Sequence, residues 1–149
     1  MATAPREVWG DLATTAFVEA SHLFKSLDEG ARRDLLQVAT VVGYSDGEAV
    51  PGDAAEGFCL LLEGAASLVA PGTAGPLEVG RLERGAFFGE GAVLGAPRPT
   101  AVVARGDLAV VVFPAPVIAA ISERYPKVRR LLETVLAARD REAGRPPGI

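Results

Sequence analysis

The sequence predicts an α+β domain, an antiparallel β-roll or sandwich with helices at both ends. Three observations carry this. Between Thr40 and Phe113, short β-rich runs alternate with turn residues. On either side of that stretch, apolar residues recur at helical spacing. Hydrophobic residues make up 49% of the 149, enough to build one domain with a core of its own.

Taken in order, Val8, Trp9, Leu12, Phe17 and Val18 predict an amphipathic helix over 7–20, with Trp9 as a packing residue. His22 falls at a surface or a helix end. Ser26-Leu27-Asp28-Glu29 has the form of a capping box, with Ser26 as N-cap, opening a helix over 28–39 that carries Leu35, Leu36, Val38 and Ala39. The β-rich runs are Val41 to Tyr44, Ala49-Val50, Phe58 to Glu63, Ala66 to Ala70, Leu77 to Leu82, Ala101 to Ala104 and Leu108 to Phe113. Turn signals separate them at Ser45-Asp-Gly, Pro51-Gly-Asp, Glu63-Gly64, Pro71 to Pro76, Glu83-Arg-Gly85 and Arg105-Gly-Asp107. Glu48 and Asp53 read as turn residues. Pro114 to Tyr125 forms a helix with proline at its entry. Pro126 opens a second, whose stripe is Val128, Leu131, Leu132, Val135 and Leu136. The tail from Gly144 ends that helix.

Composition excludes several function classes. No apolar run is long enough to span a bilayer, and the N-terminus has no signal-peptide pattern, so a cytoplasmic location is expected. Cys59 is the only cysteine, within the apolar run Phe58 to Leu62, and reads as a buried structural thiol. With one histidine and one cysteine, no zinc site is expected. Net charge is −4; residues 123–145 hold seven basic and four acidic side chains, a local +3 against −7 elsewhere. That imbalance is too small for a nucleic-acid surface. There is no nucleophile elbow, no Cys–His pair, no Walker lysine and no dinucleotide fingerprint in a βαβ unit, so no catalytic residue is assigned and an enzyme is not expected.

The stretch 87–105 carries the chemistry. Phe87-Phe88 ends a strand, Gly89 permits a tight turn, and Glu90 opens one apolar turn through Leu94 that Gly95 can end. Pro97-Arg98-Pro99 leads into the β-rich run from Thr100 to Ala104. Such a turn leaves amides for an anion, with Arg98 as a charge-assisted donor and a buried Glu90 as acceptor for sugar hydroxyls. On chemistry alone, a strand, a tight turn and another strand with Arg98 solvated is the favoured reading, since Gly-rich turns are common.

Phe88-Gly89-Glu90, Ala92, Leu94, Pro97-Arg98 and Thr100-Ala101-Val102-Val103 resemble the phosphate-binding cassette of cyclic nucleotide-binding domains. Tyr44, Gly47-Glu48, Val50, Gly52-Asp53, Gly57-Phe58, Leu60 to Leu62 and Gly64 match the first half of that family in order and spacing. The resemblance runs from Leu23 to Leu136. It implies a jelly-roll-like double-stranded β-helix flanked by N-terminal helices and a C-terminal helical lid. The expected division is an N-terminal helical segment over 1–22, the roll over 23–122, a lid or dimer helix over 123–143 and a tail over 144–149. The resemblance also implies cAMP or cGMP as ligand, with Phe88, Gly89, Glu90, Gly91, Ala92, Arg98, Thr100 and Ala101 at the site, the glutamate on the ribose 2′-hydroxyl and an arginine on the cyclic phosphate. The last helix would close over the ligand as a lid or pair with a second subunit.

This chain departs from the pattern at one decisive position. Aligned without a gap, Pro99 stands where the phosphate arginine belongs and Arg98 comes one residue early. Gly91 replaces a larger apolar residue. Val102 stands where a hydroxyl for guanine is frequent, which favours cAMP. Two functions follow: a nucleotide sensor that signals through its last helix to a protein partner, or a degenerate roll that binds no nucleotide and serves assembly.

Overall fold

The computed structural model describes residues 3–50, 57–95 and 100–144. The Pro51-Gly52-Asp53 turn, Arg98 with its flanking prolines, and the tail after Gly144 lie outside the described residues. The chain runs β1 (Arg6–Glu7), α1 (Leu12–Glu19), α2 (His22–Lys25), α3 (Glu29–Val38), β2 (Thr40–Tyr44), β3 (Ala49–Val50) and β4 (Gly57–Ala70). It continues through β5 (Leu77–Leu82), β6 (Phe87–Phe88), α4 (Glu90–Leu94), β7 (Ala101–Pro114), α5 (Ala115–Arg124) and α6 (Pro126–Gly144).

The strands form one antiparallel sheet in the order β1-β2-β7-β4-β5, with β3 also on β7 and β6 also on β4. This is the expected β-roll. Its two long members differ from expectation. Glu63-Gly64 and Arg105-Gly-Asp107 read as turns between strands, yet β4 and β7 are each continuous over 14 residues. They pair from Gly57↔Pro114 to Val69↔Ala101, with register shifts between Leu61 and Glu63 and between Glu63 and Ala65. A bulge bends a strand without ending its ladder. Gly64 (φ 89°) and Gly106 (φ 76°) take the left-handed conformations at this shared corner.

Side chains alternate across the long strands into two cores. Phe58, Leu60, Leu62, Phe87, Val111 and Phe113 join the helix-facing core. Cys59, Leu61, Phe88, Val110 and Val112 join the roll interior. Burial on both faces explains why residues 58–62 are apolar without a break. Beyond the corner the parity on β4 changes: Ala66 and Leu68 face the interior where Cys59 and Leu61 did before it, as inserted bulge residues require.

The N-terminal segment corrects two expectations. Residues 6–7 pair with β2 through Arg6↔Val41 and Glu7↔Thr40. Gly10 has φ 100°, and the Asp11 carboxylate accepts the Thr14 amide at 3.2 Å, so helix starts only at Leu12. Val8 and Leu12 therefore belong to different elements, and their helical spacing is a coincidence. Val8 and Val18 are buried, but Trp9 is 49% and Leu12 86% exposed; Trp9 is not a core residue. The N-cap of α3 is Asp28, which accepts the Ala31 amide at 2.9 Å. Ser26 instead ends α2, its hydroxyl donating to the His22 carbonyl at 2.9 Å. Asp28 and Ser26 are both good caps; the separate turn α2 claims the serine.

At the other end, Val128 and Leu132 are fully buried and Val135 nearly so. They pack in one cluster with Leu23, Phe24 and Ile118. The stripe expected to serve a lid or a dimer is thus engaged in the chain's own core in this arrangement. Ring contact between Phe24 and Phe113, 5.9 Å between centroids, joins the helices to β7.

Two glycine substitutions separate backbone strain from collision. A Cβ on Gly47 (φ 83°) meets nothing within 4 Å, whereas one on Gly64 strikes the Asp107 carbonyl oxygen. Gly47→Ala is expected to cost about 1 kcal/mol, and Gly64→Ala roughly 3 kcal/mol because the corner must also open. Urea unfolding measures both; equal losses would contradict the shared corner.

Candidate functional site

The site residues arrive on β6, α4 and the head of β7. β6 pairs with β4 through Leu60↔Phe87 and Cys59↔Phe88, which sends the two rings to opposite sides. Phe87 stacks on Phe58 at 5.0 Å with planes 3° apart. Phe88 enters the roll interior. Gly89 follows at φ 85°, and a Cβ there would strike the Gly57 carbonyl oxygen, so only glycine fits the turn. α4 is a single short turn closed by a second left-handed glycine, Gly95 at φ 70°, whose amide returns to the Gly91 carbonyl. Glu90, its first residue, is fully buried. Gly91 is buried and Ala92 half-buried.

The head of β7 divides its residues between two faces. Thr100 is half-buried. Val102, buried, shares the roll interior with Phe88, although their partners on β4, Leu68 and Cys59, lie on opposite sides of the corner. The bend brings them together. Ala101, paired with Val69, is exposed and lines an outer cavity of about 390 Å³ with Val69, Ala70, Pro71, Gly72, Gly75 and Pro76. Strand alternation puts the Ala101 side chain on the face opposite Val102, so Ala101 can serve the interior only through its backbone. Arg98 lies outside the described residues.

Sequence reasoning missed the interior partners of this group: Tyr44, Val50 and Leu82. The register Val50↔Val102 lays β3 across the start of β7. The signal for it was weak, because a strand of two residues has no period to read.

The short helix also touches the C-terminal helices. α4 packs against α5 and α6, and Val93 and Leu94 lie against the cluster that holds Val128 and Leu132. The α5–α6 junction is pinned by Tyr125, whose hydroxyl donates to Asp28 Oδ2 at 2.6 Å. Asp28 thereby caps α3 and ties that cap to the residue before α6. The Tyr125 hydroxyl, then the Ala31 amide, hold the Asp28 carboxyl below its ordinary range, and the same bond raises the phenol.

Among the described residues, no group of three or more His, Cys, Asp or Glu is placed to hold a metal ion, and no helix is long and apolar enough to cross a membrane.

The sequence model of the cyclic nucleotide-binding domain matches residues 47–125. This chain belongs to that family. Its fold is similar to that of the regulatory domain of PKA from Toxoplasma gondii, solved with cAMP: TM-score 0.67, 23% identity, 83% of this chain and 48% of that one. It is similar to the catabolite activator protein of Thermus thermophilus: TM-score 0.65, 26% identity, 82% of this chain and 59% of that one. The sensor domain of the transcriptional regulator DNR from Pseudomonas aeruginosa matches with TM-score 0.71 at 16% identity, over 88% of this chain and 91% of that one. Against the first two, this chain spans about half to three-fifths of the partner's length.

The depressed Asp28 carboxyl gives a signed pH dependence. Its contribution is present above the unfolded carboxylate range, about pH 4, and is lost as pH falls through the lower folded value. Asp28→Ala is expected to lower Tm at pH 7, with the gap to wild type narrowing below about pH 4. Thermal melts across that range test it; a gap that does not change with pH would remove the charged contribution.

Proposed function

We propose that this chain is a non-enzymatic regulatory module that binds a cyclic nucleotide in the β-roll, cAMP in preference to cGMP, and transmits occupancy through α6 to a protein partner. The observation that carries the proposal is Glu90, a carboxylate held fully buried at the head of α4. Glutamate is almost never enclosed without a specific role for its oxygens. It sits at the cassette position where the resemblance puts the ribose ligand. Burial adds a condition: a sugar hydroxyl reaches Glu90 only once its cover opens. α4 lies against α6, so such an opening is a route from ligand to output. Arg98 is the phosphate donor in this reading, and Val102, which offers no hydroxyl, favours adenine.

The second reading, a roll that binds no nucleotide and serves assembly, is favoured by Pro99 at the arginine position. An arginine–phosphate hydrogen bond contributes roughly 1.5–3 kcal/mol, about tenfold or more in affinity.

Calorimetric titration with cAMP and cGMP separates the two. The sensor reading expects saturable binding, tighter for cAMP, weakened about tenfold or more by Arg98→Ala or Glu90→Gln in variants whose circular dichroism matches wild type. No heat up to millimolar nucleotide establishes the second reading. In that case Pro99→Arg is expected to restore measurable binding by returning the charge to the family's position.

A further inference from the structure

The helical cap carries a groove that the nucleotide reading does not use. His22, Lys25 and Ser26 on one wall face Lys127, Arg130, Leu131 and Thr134 on the other, around a cavity of about 350 Å³. The first wall is α2 with its C-cap and the second is the N-terminal half of α6. Lys25, Lys127 and Arg130 are exposed. No carboxylate is among the lining residues, and the ion pairs found among the described residues involve none of the three cations. The adjacent face of α6 differs: Arg129 there is paired with Glu133 at 3.6 Å. A chain of net charge −4 thus gathers three cations around one groove, none of them ion-paired among the described residues.

We infer that this groove docks an acidic, carboxylate-rich peptide segment of a partner protein. Charge complementarity is the first reason. Shape is the second. Lys127, Arg130 and Thr134 follow one another at i, i+3 and i+7, a row about 10 Å long at the helical rise, which matches about three residues of extended chain. The hydroxyls do not form a phosphate cradle. Ser26 donates to the His22 carbonyl at 2.9 Å and Thr134 to the Arg130 carbonyl at 2.8 Å, so the free donors are the flexible cationic heads spread along the row. Half-buried Leu131 between them offers an apolar contact for one side chain of the segment. Nucleic acid would demand a longer basic track, and a membrane surface would demand exposed bulky apolar side chains beside the cations; neither lines the groove. An occupant would span α2 and α6 and so fasten the C-terminal helix to the cap.

The test uses the full chain and a fluorescein-labelled peptide of glutamates and aspartates around a central leucine, read by fluorescence anisotropy. Saturable binding is expected, weakened about tenfold by Lys25→Glu with Arg130→Glu and also by raising salt from about 50 to about 300 mM. A charge-reversing variant at Arg81, which does not line the groove, is expected to bind as wild type does. All three side chains are exposed, and circular dichroism confirms that each variant is folded. Peptide binding that ignores the double substitution, or no binding at low salt, overturns the proposal. Displacement by micromolar inorganic phosphate makes it a small-anion site instead. Equal affinity for a single-stranded oligonucleotide, or for vesicles of anionic lipid, reassigns the surface to that class of partner.

Discussion

The hydrogen-bonded pairing of β4 with β7 is the constraint from which the rest of the molecule follows. The ladder runs from Gly57↔Pro114 to Val69↔Ala101 and bends in the middle. Antiparallel pairing fixes which residues face each other, and strand alternation fixes which side each side chain takes. Because both strands bend at the same place, the sheet closes on an interior while its outer face stays available to the helices. Phe58 and Phe113 then face the helical cap, and Leu61 and Val110 face the roll. Gly64 is a necessary condition for that geometry, since a Cβ there would strike the strand it bends with.

The same constraint builds the candidate site. The turn at Gly89 approaches β4 so closely that its missing Cβ is occupied by the Gly57 carbonyl. Gly57 is also where the β4–β7 ladder begins. The start of the ladder and the turn that leads into the buried Glu90 are therefore in direct contact. The other half of the site, Thr100 to Val102, hangs from the far end of the same ladder, and only the corner returns it to Phe88.

What the sequence made legible was what depends on local period and on glycine. The unbroken apolar run Phe58 to Leu62, the αL glycines around Glu90 and the stripe of the last helix were all readable. The rest depended on contacts between distant segments. Glu63-Gly64 and Arg105-Gly-Asp107 look like chain reversals one at a time; only their juxtaposition makes them a bend. Ser26 and Asp28 are both acceptable caps, and the turn α2 decides between them. Trp9 and Leu12 fit a helical stripe in sequence, but pairing of Arg6 and Glu7 with β2 removes the helix that would have buried Trp9. The exposure of Ala101 follows from its register with Val69, which no single-strand pattern contains.

α6 divides its surface between two kinds of interaction. Val128, Leu132 and Val135 bind it to the core that also receives Val93 and Leu94 of α4, while Lys127 and Arg130 leave it facing α2 across an open groove. The apolar side makes α6 sensitive to the position of α4, because close-packed side chains transmit small shifts. The basic side makes it sensitive to whatever bridges the groove. Tyr125, bonded to Asp28, lies at the junction just before the helix and ties that junction to the cap of α3. In the proposed function, uncovering Glu90 displaces α4 and is felt in the cluster that holds Val128, Leu132 and Val135. An acidic segment held across α2 and α6 opposes that displacement. Partner docking and nucleotide binding would then be linked through one helix, each altering the affinity of the other by the same factor.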